Sequence, residues 1–186
     1  MPTKKIVSEY ESKMRKAVGV LRDELKAVRT GRASTGLVEN IKIDYYGTAT
    51  PLKQIATLAT PQADMIVIKP FDPASVKEIE KAIKSSDLSI APIVDGKIIR
   101  LNIPPLSEER RRQLAAQAKQ MGEQTKVSIR NIRREANKQL EKEQKDKVIT
   151  EDDLQGGKKR VDDITRKYTD QVDSIVTDKS DEIMLD

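Results

Sequence analysis

Apolar residues recur at intervals of three and four over three long stretches of the chain, which predicts three amphipathic helices. The first is predicted over residues 3–29 and the second over residues 107–146. The third begins near Thr150, which resembles a capping box with Asp153 three residues later. None of these helices can bury its apolar side alone, so a three-helix bundle is expected. The apolar side of the second helix is formed by Leu114, Ala118, Met121, Thr125, Ile129, Ile132, Ala136 and Leu140.

The region between the first two helices has the pattern of strands and turns. Alternation along residues 41–45 predicts a half-buried strand, and turns are predicted at Tyr46-Gly47 and Thr50-Pro51. A second strand is predicted over residues 65–69, and a hairpin over residues 90–103 turns at Asp95-Gly96.

A short helix is predicted between these strands. Asp72-Pro73 is typical of a helix start, and Val76, Ile79 and Ile83 would face inward. The fold class expected is therefore α+β. A long three-helix bundle of residues 1–30 and 105–186 would carry an inserted β/α/β domain of residues 31–104.

Two connections would join the inserted domain to the bundle, one near residues 29–32 and one at residues 104–105. Glycine loosens the first connection and prolines stiffen the second. These features suggest a hinge between two rigid bodies, and a fixed interface is the alternative. The predicted hinge residues are Thr30, Gly31, Arg32, Pro104 and Pro105.

The second long helix also carries a row of cations, set about 100° around the helix from its apolar side. Residues 110–134 contain eight Lys or Arg and one acid. Because an arginine fork matches phosphate oxygens, this row predicts a surface that follows a nucleic-acid backbone. An ordinary solvated basic face is the alternative, since acids of the last helix could pair with some of these cations. The row consists of Arg112, Lys119, Lys126, Arg130 and Arg133.

Charge and aromatic content narrow the kind of ligand. The net charge is +5, but residues 147–186 contain seven bases and eleven acids, so the first two helices should form a basic side. Aromatic residues are only 3% of the chain. Single strands are bound largely by stacking on aromatic rings, so folded RNA or a duplex is the better candidate.

Several chemistries are disfavoured. The chain has no Cys and no His, so disulfides, thiolate nucleophiles and the usual transition-metal ligands are missing. The acidic pairs Glu108-Glu109 and Asp152-Asp153 are better explained as helix starts. We therefore expect no catalytic residues, no metal site and no enzyme. Without an apolar run of about 18 residues or a signal peptide, we expect a cytoplasmic protein that does not enter a membrane.

Four segments resemble the ribosome recycling factor family: VRTGRAS (28–34), YYGTATPL (45–52), IPPLSEERRRQL (103–114) and VSIRNIRREAN (127–137). The resemblance covers essentially the whole chain. It implies an L-shaped bacterial monomer that lies on the 23S rRNA of the large subunit of the 70S ribosome. It further implies that the factor splits the post-termination ribosome together with elongation factor G, releasing mRNA and deacylated tRNA. GTP would be used by that partner, so no cofactor is expected for this chain.

The resemblance also assigns residues. Arg130 and Arg133 would contact rRNA, Arg29 and Arg110 would assist, and Gly31 and Arg32 would lie at the elbow. Two interpretations outside the family are a basic helical adaptor or chaperone, and a small hydrolase or nuclease that uses Asp152 and Asp153. The complete predicted rRNA-binding set is Arg29, Arg110, Arg112, Lys119, Lys126, Arg130, Arg133 and Arg134.

Overall fold

The computed structural model describes residues 2–185 and divides them into two compact units. One unit comprises the residues up to Leu25 together with Ala116–Asp181, and the other comprises Lys26–Ala115 with the residues from Glu182 onwards. The helices are α1 (Pro2–Lys26), α2 (Leu52–Ile55), α3 (Val76–Lys84), α4 (Glu108–Lys145) and α5 (Glu151–Met184). The strands are β1 (Lys42–Tyr45), β2 (Thr48–Pro51), β3 (Ala56–Gln62), β4 (Met65–Pro70), β5 (Pro92–Asp95) and β6 (Ile98–Asn102). The mixture of long helices and a small sheet region confirms the predicted α+β class.

The first unit is a helical bundle whose core is drawn from α1, α4 and α5. Its contacts show that α4 and α5 run antiparallel, because Lys126 lies 2.9 Å from Asp173 while Glu141 lies 2.8 Å from Lys158. The apolar positions predicted for the second long helix are all buried or half-buried. One end of the core contains Ile6, Val7, Tyr10, Ala136, Leu140, Ile149, Leu154 and Val161.

Local chemistry sets the ends of α4 and α5. The Thr150 hydroxyl accepts a hydrogen bond from the Asp153 backbone N–H at 3.1 Å, and the Asp153 carboxylate accepts one from the Thr150 N–H at 3.3 Å. This is the predicted capping box. At the end of α4, the Val148 N–H donates to the Glu143 carbonyl, and Lys147 has a φ of 58°. This is a Schellman motif with lysine at the position that glycine usually occupies.

The first helix ends at Lys26, three residues before the predicted end. Beyond it, the Thr30 hydroxyl accepts a hydrogen bond from the Arg32 N–H and donates one to the Arg32 carbonyl, both at 3.3 Å. A threonine hydroxyl that bonds to nearby backbone offers the chain an alternative to the helix. Thr30 is only 1% exposed, so this local arrangement belongs to the packed interior.

The second unit contains a four-stranded antiparallel sheet in the order β3-β4-β6-β5 and a separate two-stranded hairpin, β1-β2. The predicted hairpin of β5 and β6 and the predicted strand β4 are confirmed. The predicted turn at Thr50-Pro51 was wrong, because both residues belong to β2 and pair with β1. Strand β3 was not predicted, since most of its residues are exposed and it has no apolar alternation.

The helix α3 begins as predicted and packs on this sheet region. The Asp72 carboxylate accepts a hydrogen bond from the Ala74 N–H at 2.9 Å, and a 3-10 turn of Pro73–Ser75 leads into the helix. The inward side of α3 joins a core with the buried residues of the strands. The fully buried members include Ile43, Leu52, Ile66, Ile68, Ile79, Ile99 and Leu101.

Glycines inside the long helices differ in their packing. A Cβ added at Gly122 of α4 would lie 2.5 Å from a methyl group of Val176 on α5, so this glycine allows a close helix contact. At Gly156, no atom lies within 4 Å of an added Cβ. A Cβ added at Gly157 would lie 3.0 Å from Thr3 and 3.1 Å from Leu140, which explains why a glycine stands inside α5 at this position.

These environments predict opposite effects for two alanine substitutions. Gly156→Ala should raise the free energy of unfolding by up to about 1 kcal/mol, because alanine restricts the unfolded chain and favours the helix. Gly122→Ala should lower it, because overpacking costs about 1–3 kcal/mol and exceeds that gain. Urea unfolding followed by circular dichroism compares the two variants. Equal stabilisation by both substitutions would contradict the close contact at Gly122.

Candidate nucleic-acid interface

Burial of the apolar side of α4 leaves a row of cations on its outer side. Lys119, Arg130 and Arg134 are exposed. Within residues 2–185, none of these three side chains forms an ion pair. A cation without a protein carboxylate keeps its charge available for an external anion. The outer side of α4 therefore has the character of a phosphate-binding surface.

The inner edge of the same row is partly neutralised by α5. The Lys126 ammonium lies 2.6 Å from Glu123 and 2.9 Å from Asp173, and its side chain is only 17% exposed. Hydrogen bonds to Glu123 and then to Asp173 raise the pKa of Lys126. Arg133 lies 4.0 Å from Asp162 and keeps 40% of its side chain exposed. Lys126 thus helps hold the bundle together, whereas Arg133 can still reach an external anion.

Arg29 is half-buried in the second unit, and its charged group is engaged with the backbone. Its guanidinium donates to the backbone carbonyls of Leu88 at 3.4 Å and Pro104 at 3.3 Å. Burial, followed by the charge of Arg110, lowers the pKa of Arg29. Its Nε is buried and has no hydrogen-bond partner. Arg29 thus joins the segment that follows α1 to the backbone at Leu88 and Pro104. These contacts support the folded structure.

The remaining predicted cations lie at the start of α4. Arg110 is exposed and donates to the Gln113 side chain at 3.0 Å, while Arg112 forms an ion pair with Glu108 one turn earlier. An exposed pair of this kind contributes little to stability, so Arg112 can exchange it for a phosphate. The half-buried Arg111 lies towards the apolar side of α4, and its Nε has no hydrogen-bond partner. Sequence reasoning had passed over it.

A second group of cations that sequence reasoning missed lies on α1 and α5. Arg15, Arg22 and Lys167 line a cavity of about 300 Å³ together with Tyr168. A hydrogen bond with Tyr168 raises the pKa of Arg15. The sequence signal for this group is the excess of basic residues in the first helix. That excess predicts a charged side of the helix but does not show which residues line the same cavity.

Among residues 2–185, no group of three or more acidic side chains is arranged to hold a metal ion. Asp153 is occupied in the capping box, as helix-start chemistry predicted. No helix in the same span has the length and apolar content needed to cross a bilayer.

The predicted hinge residues all lie within the second unit. Thr30 and Arg32 bond to each other, and Arg29 bonds to Pro104. The domain boundaries at 30/31 and 104/105 and the hinge stay predictions. The eight predicted rRNA-binding residues are divided between the units, with Arg29, Arg110 and Arg112 in the second and the other five in the first.

The chain combines a helical bundle that carries an exposed cation row with a small sheet region. This architecture defines a class of helical protein suited to binding an anionic surface. Comparisons with known proteins identify the particular class. The family model for ribosome recycling factor matches residues 21–184. The chain belongs to the ribosome recycling factor family, which is a family of translation factors, as the sequence motifs had indicated.

Individual relatives agree along nearly the full length. The ribosome-recycling factor of Geobacillus thermodenitrificans is 47% identical over 181 residues, which cover 97% of this chain and 98% of the relative. That of Oleidesulfovibrio alaskensis is 49% identical over 179 residues, covering 96% and 97%.

Solved structures give the same result. A solution structure of the ribosome recycling factor matches with a TM-score of 0.79 and 39% identity, covering 100% of this chain and 99% of that one. A second match has a TM-score of 0.69 and 38% identity, covering 99% and 100%. It comes from models for the T. thermophilus ribosome recycling factor and the E. coli elongation factor G bound to the E. coli post-termination complex.

The contacts predict that two arginines of the candidate set differ in their effect on folding. Arg29→Met should lower the free energy of unfolding by about 1–2 kcal/mol, because two backbone carbonyls lose a charged donor. Arg130→Met should change it by no more than about 0.5 kcal/mol, as for other exposed positions. Thermal and urea unfolding measure both. A neutral Arg29→Met variant would remove Arg29 from the structural role.

Proposed function

We propose that this chain recycles post-termination ribosomes by anchoring the outer side of α4 on rRNA of the large subunit. Arg130, Arg133 and Arg134 would make the principal phosphate contacts, with Lys119 and Arg112 extending the row along the helix. Arg29 and Lys126 would support this surface indirectly, since their charged groups are engaged within the protein.

One observation carries this proposal. Arg130 and Arg134 are exposed on consecutive turns of one helix, have no ion pair within the described chain, and lie beside the half-exposed Arg133. Like charges at this spacing destabilise an isolated helix by about 0.2–0.5 kcal/mol per pair. Such a cluster is expected where an anion neutralises it, and family membership identifies ribosomal RNA as the anion to test first.

In this proposal the ribosomal subunits are separated by a mechanical movement. Elongation factor G, which accompanies a recycling factor in one related structure, would supply movement through the GTP that it hydrolyses. This chain would need no cofactor, metal or catalytic residue of its own, and it would work as a monomer in the bacterial cytoplasm. Hinge movement at Thr30–Arg32 and Pro104-Pro105 would convert that movement into separation of the subunits, freeing mRNA and deacylated tRNA.

Charge reversal tests the anchor. The double variant Arg130→Glu/Arg133→Glu should weaken binding to purified large subunits at least about tenfold. The slope of log K against log salt should become shallower by about 0.7–0.9 for every phosphate that the variant no longer neutralises. Filter binding at several salt concentrations gives both quantities. A double variant that binds as tightly as the unchanged protein would return this row to the role of a solvated face.

The single reversals Arg130→Glu and Arg133→Glu are also measured, and Lys142→Glu is their matched control. Lys142 is an exposed cation on the same helix, twelve residues beyond Arg130 and about 120° around the axis. The charge change per residue is the same, so long-range attraction is reduced similarly. Lys142→Glu should retain most of the affinity. If it weakened binding as much as the reversal of either arginine, net charge would explain the effect without a defined surface.

Light scattering tests splitting itself. Post-termination ribosomes mixed with this protein, elongation factor G and GTP should lose scattering intensity, and omission of any one component should abolish that decrease. Gly31→Val or Pro104→Gly should leave binding to the large subunit intact but slow the decrease several-fold. Binding without splitting in the complete mixture would contradict the recycling mechanism. Capture of proteins that persists after nuclease treatment would then favour the adaptor interpretation.

A further inference from the structure

The cavity between α1 and α5 is lined by cations from both helices. Its volume of about 300 Å³ lies at the lower end of the range for small-molecule sites. Among the described residues that line it, three are cations and none is an acid. Because these cations surround one volume, an anion inside it can contact several of them at once. The lining residues are Arg15, Val18, Gly19, Arg22, Lys167, Tyr168 and Gln171.

Gly19 leaves the middle of the cavity open. Arg15 and Arg22 lie two turns apart on α1, about 10 Å along the helix axis, and Gly19 stands between them on the same side. Among residues 2–185, no neighbouring atom lies within 4 Å of a Cβ added at Gly19. Packing therefore does not require this glycine, and glycine is among the least favourable residues inside a helix. The space that a side chain would fill stays available to a ligand.

Buried residues form the floor of the cavity. Val18 is 3% exposed and Tyr168 is 4% exposed. The Tyr168 hydroxyl donates to the Glu11 carboxylate at 3.3 Å, and Arg15 interacts with the same hydroxyl. A phenol held in this way keeps Arg15 beside the cavity. The guanidinium has five N–H donors, so most of them remain available to a ligand.

The cations of the cavity keep their charge available. Within residues 2–185, neither Arg15 nor Arg22 forms an ion pair. Lys167 lies 3.4 Å from Glu11, but its side chain is 56% exposed, and such a pair is easily exchanged for another anion. The half-buried Gln171 adds a side-chain amide without a hydrogen-bond partner in the same span. The cavity thus offers three cations and one neutral donor.

This arrangement suits a compact anion better than a nucleic-acid backbone. The cations on the outer side of α4 follow one another along a single helix, whereas those of the cavity face a common volume. Acids also limit the basic group on each helix. Glu11 lies one turn before Arg15, and Asp163 lies one turn before Lys167. A polynucleotide that continued in this direction would meet two carboxylates, but a small anion would not.

We propose that the cavity between α1 and α5 binds a small ligand that carries two or more linked phosphate groups. Arg15 and Arg22 hold the phosphate oxygens from α1, and Lys167 neutralises them from α5. The Gln171 amide donates to a further oxygen. The bound ligand joins the two helices and stabilises the bundle. This site uses other helices than the outer side of α4, and it goes beyond the proposed rRNA anchor.

Calorimetric titration of the full chain with inorganic triphosphate tests the site. Sulfate at equal ionic strength and a uridine tetranucleotide are the comparison ligands, and divalent cations are left out because they chelate triphosphate. Triphosphate should saturate one site and bind at least about tenfold more tightly than either comparison ligand. Absence of saturable binding would overturn the proposal. Equal or tighter binding of the tetranucleotide would also overturn it and make the cavity part of an RNA surface.

Charge variants show whether the cavity or the net charge binds the ligand. Arg15→Gln/Arg22→Gln should raise the dissociation constant of triphosphate at least about tenfold. The matched control is Lys5→Gln/Lys16→Gln, which removes the same charge from two exposed positions of α1 outside the cavity. The control should retain most of the affinity. An equal loss in both double variants would contradict a defined site.

Filling the cavity gives a test that keeps every charge. Gly19→Leu should abolish triphosphate binding without lowering the free energy of unfolding, because leucine favours the helix and meets open space. Aromatic NMR locates the ligand, since triphosphate should shift the signals of Tyr168 but not those of Tyr10. Unchanged affinity in Gly19→Leu would contradict the proposal.

The two proposals fail separately. The variant Arg130→Glu/Arg133→Glu, which tests the rRNA anchor, should bind triphosphate as tightly as the unchanged protein. Loss of triphosphate binding in that variant, with binding retained in Arg15→Gln/Arg22→Gln, would place the anion on α4 and overturn the cavity site. Absence of triphosphate binding to the unchanged protein would leave the rRNA anchor unaffected.

Discussion

Burial of the apolar side of α4 against α1 and α5 is the constraint on which the bundle surface depends. Ala118, Ile129, Ala136 and Leu140 are fully buried, so the rotation of the helix about its axis is determined. Once that rotation is set, Lys119 and Arg130 must point outward. Gly122 allows α5 to approach closely at Val176, which tightens the same contact. The position of the exposed cations is therefore a consequence of hydrophobic packing.

The helix that buries α4 also divides its charges. Acids of α5 lie beside Lys126 and Arg133 at 2.9 Å and 4.0 Å, while the outer cations lie beyond their reach. Self-repulsion along the row is reduced at its inner edge, where desolvation would make unpaired charge costly. At the outer edge the repulsion persists and favours binding of an anion. One packing arrangement thus separates structural cations from those available for binding.

Arg29 shows how residues of one type take different tasks. Motif resemblance grouped it with the rRNA-binding arginines, but its donors are directed to the carbonyls of Leu88 and Pro104. Tyr46 likewise has a contact that its motif does not predict. The YYGTATPL motif contains a predicted turn, but only the tertiary structure shows that the Tyr46 hydroxyl donates to Asp72. In both cases the neighbours come from distant parts of the chain.

The sequence alone determined the three long helices, the capping box at Thr150, the β5-β6 hairpin and the family, because each depends on local periodicity, local hydrogen bonds or contiguous motifs. The row of cations on α4 was also readable, since helix geometry relates residues seven apart. Tertiary structure alone decided that Lys126 is paired, that Arg29 is bonded to the backbone and that β3 completes the sheet. These facts depend on distances between residues far apart in the chain, and no local pattern contains them.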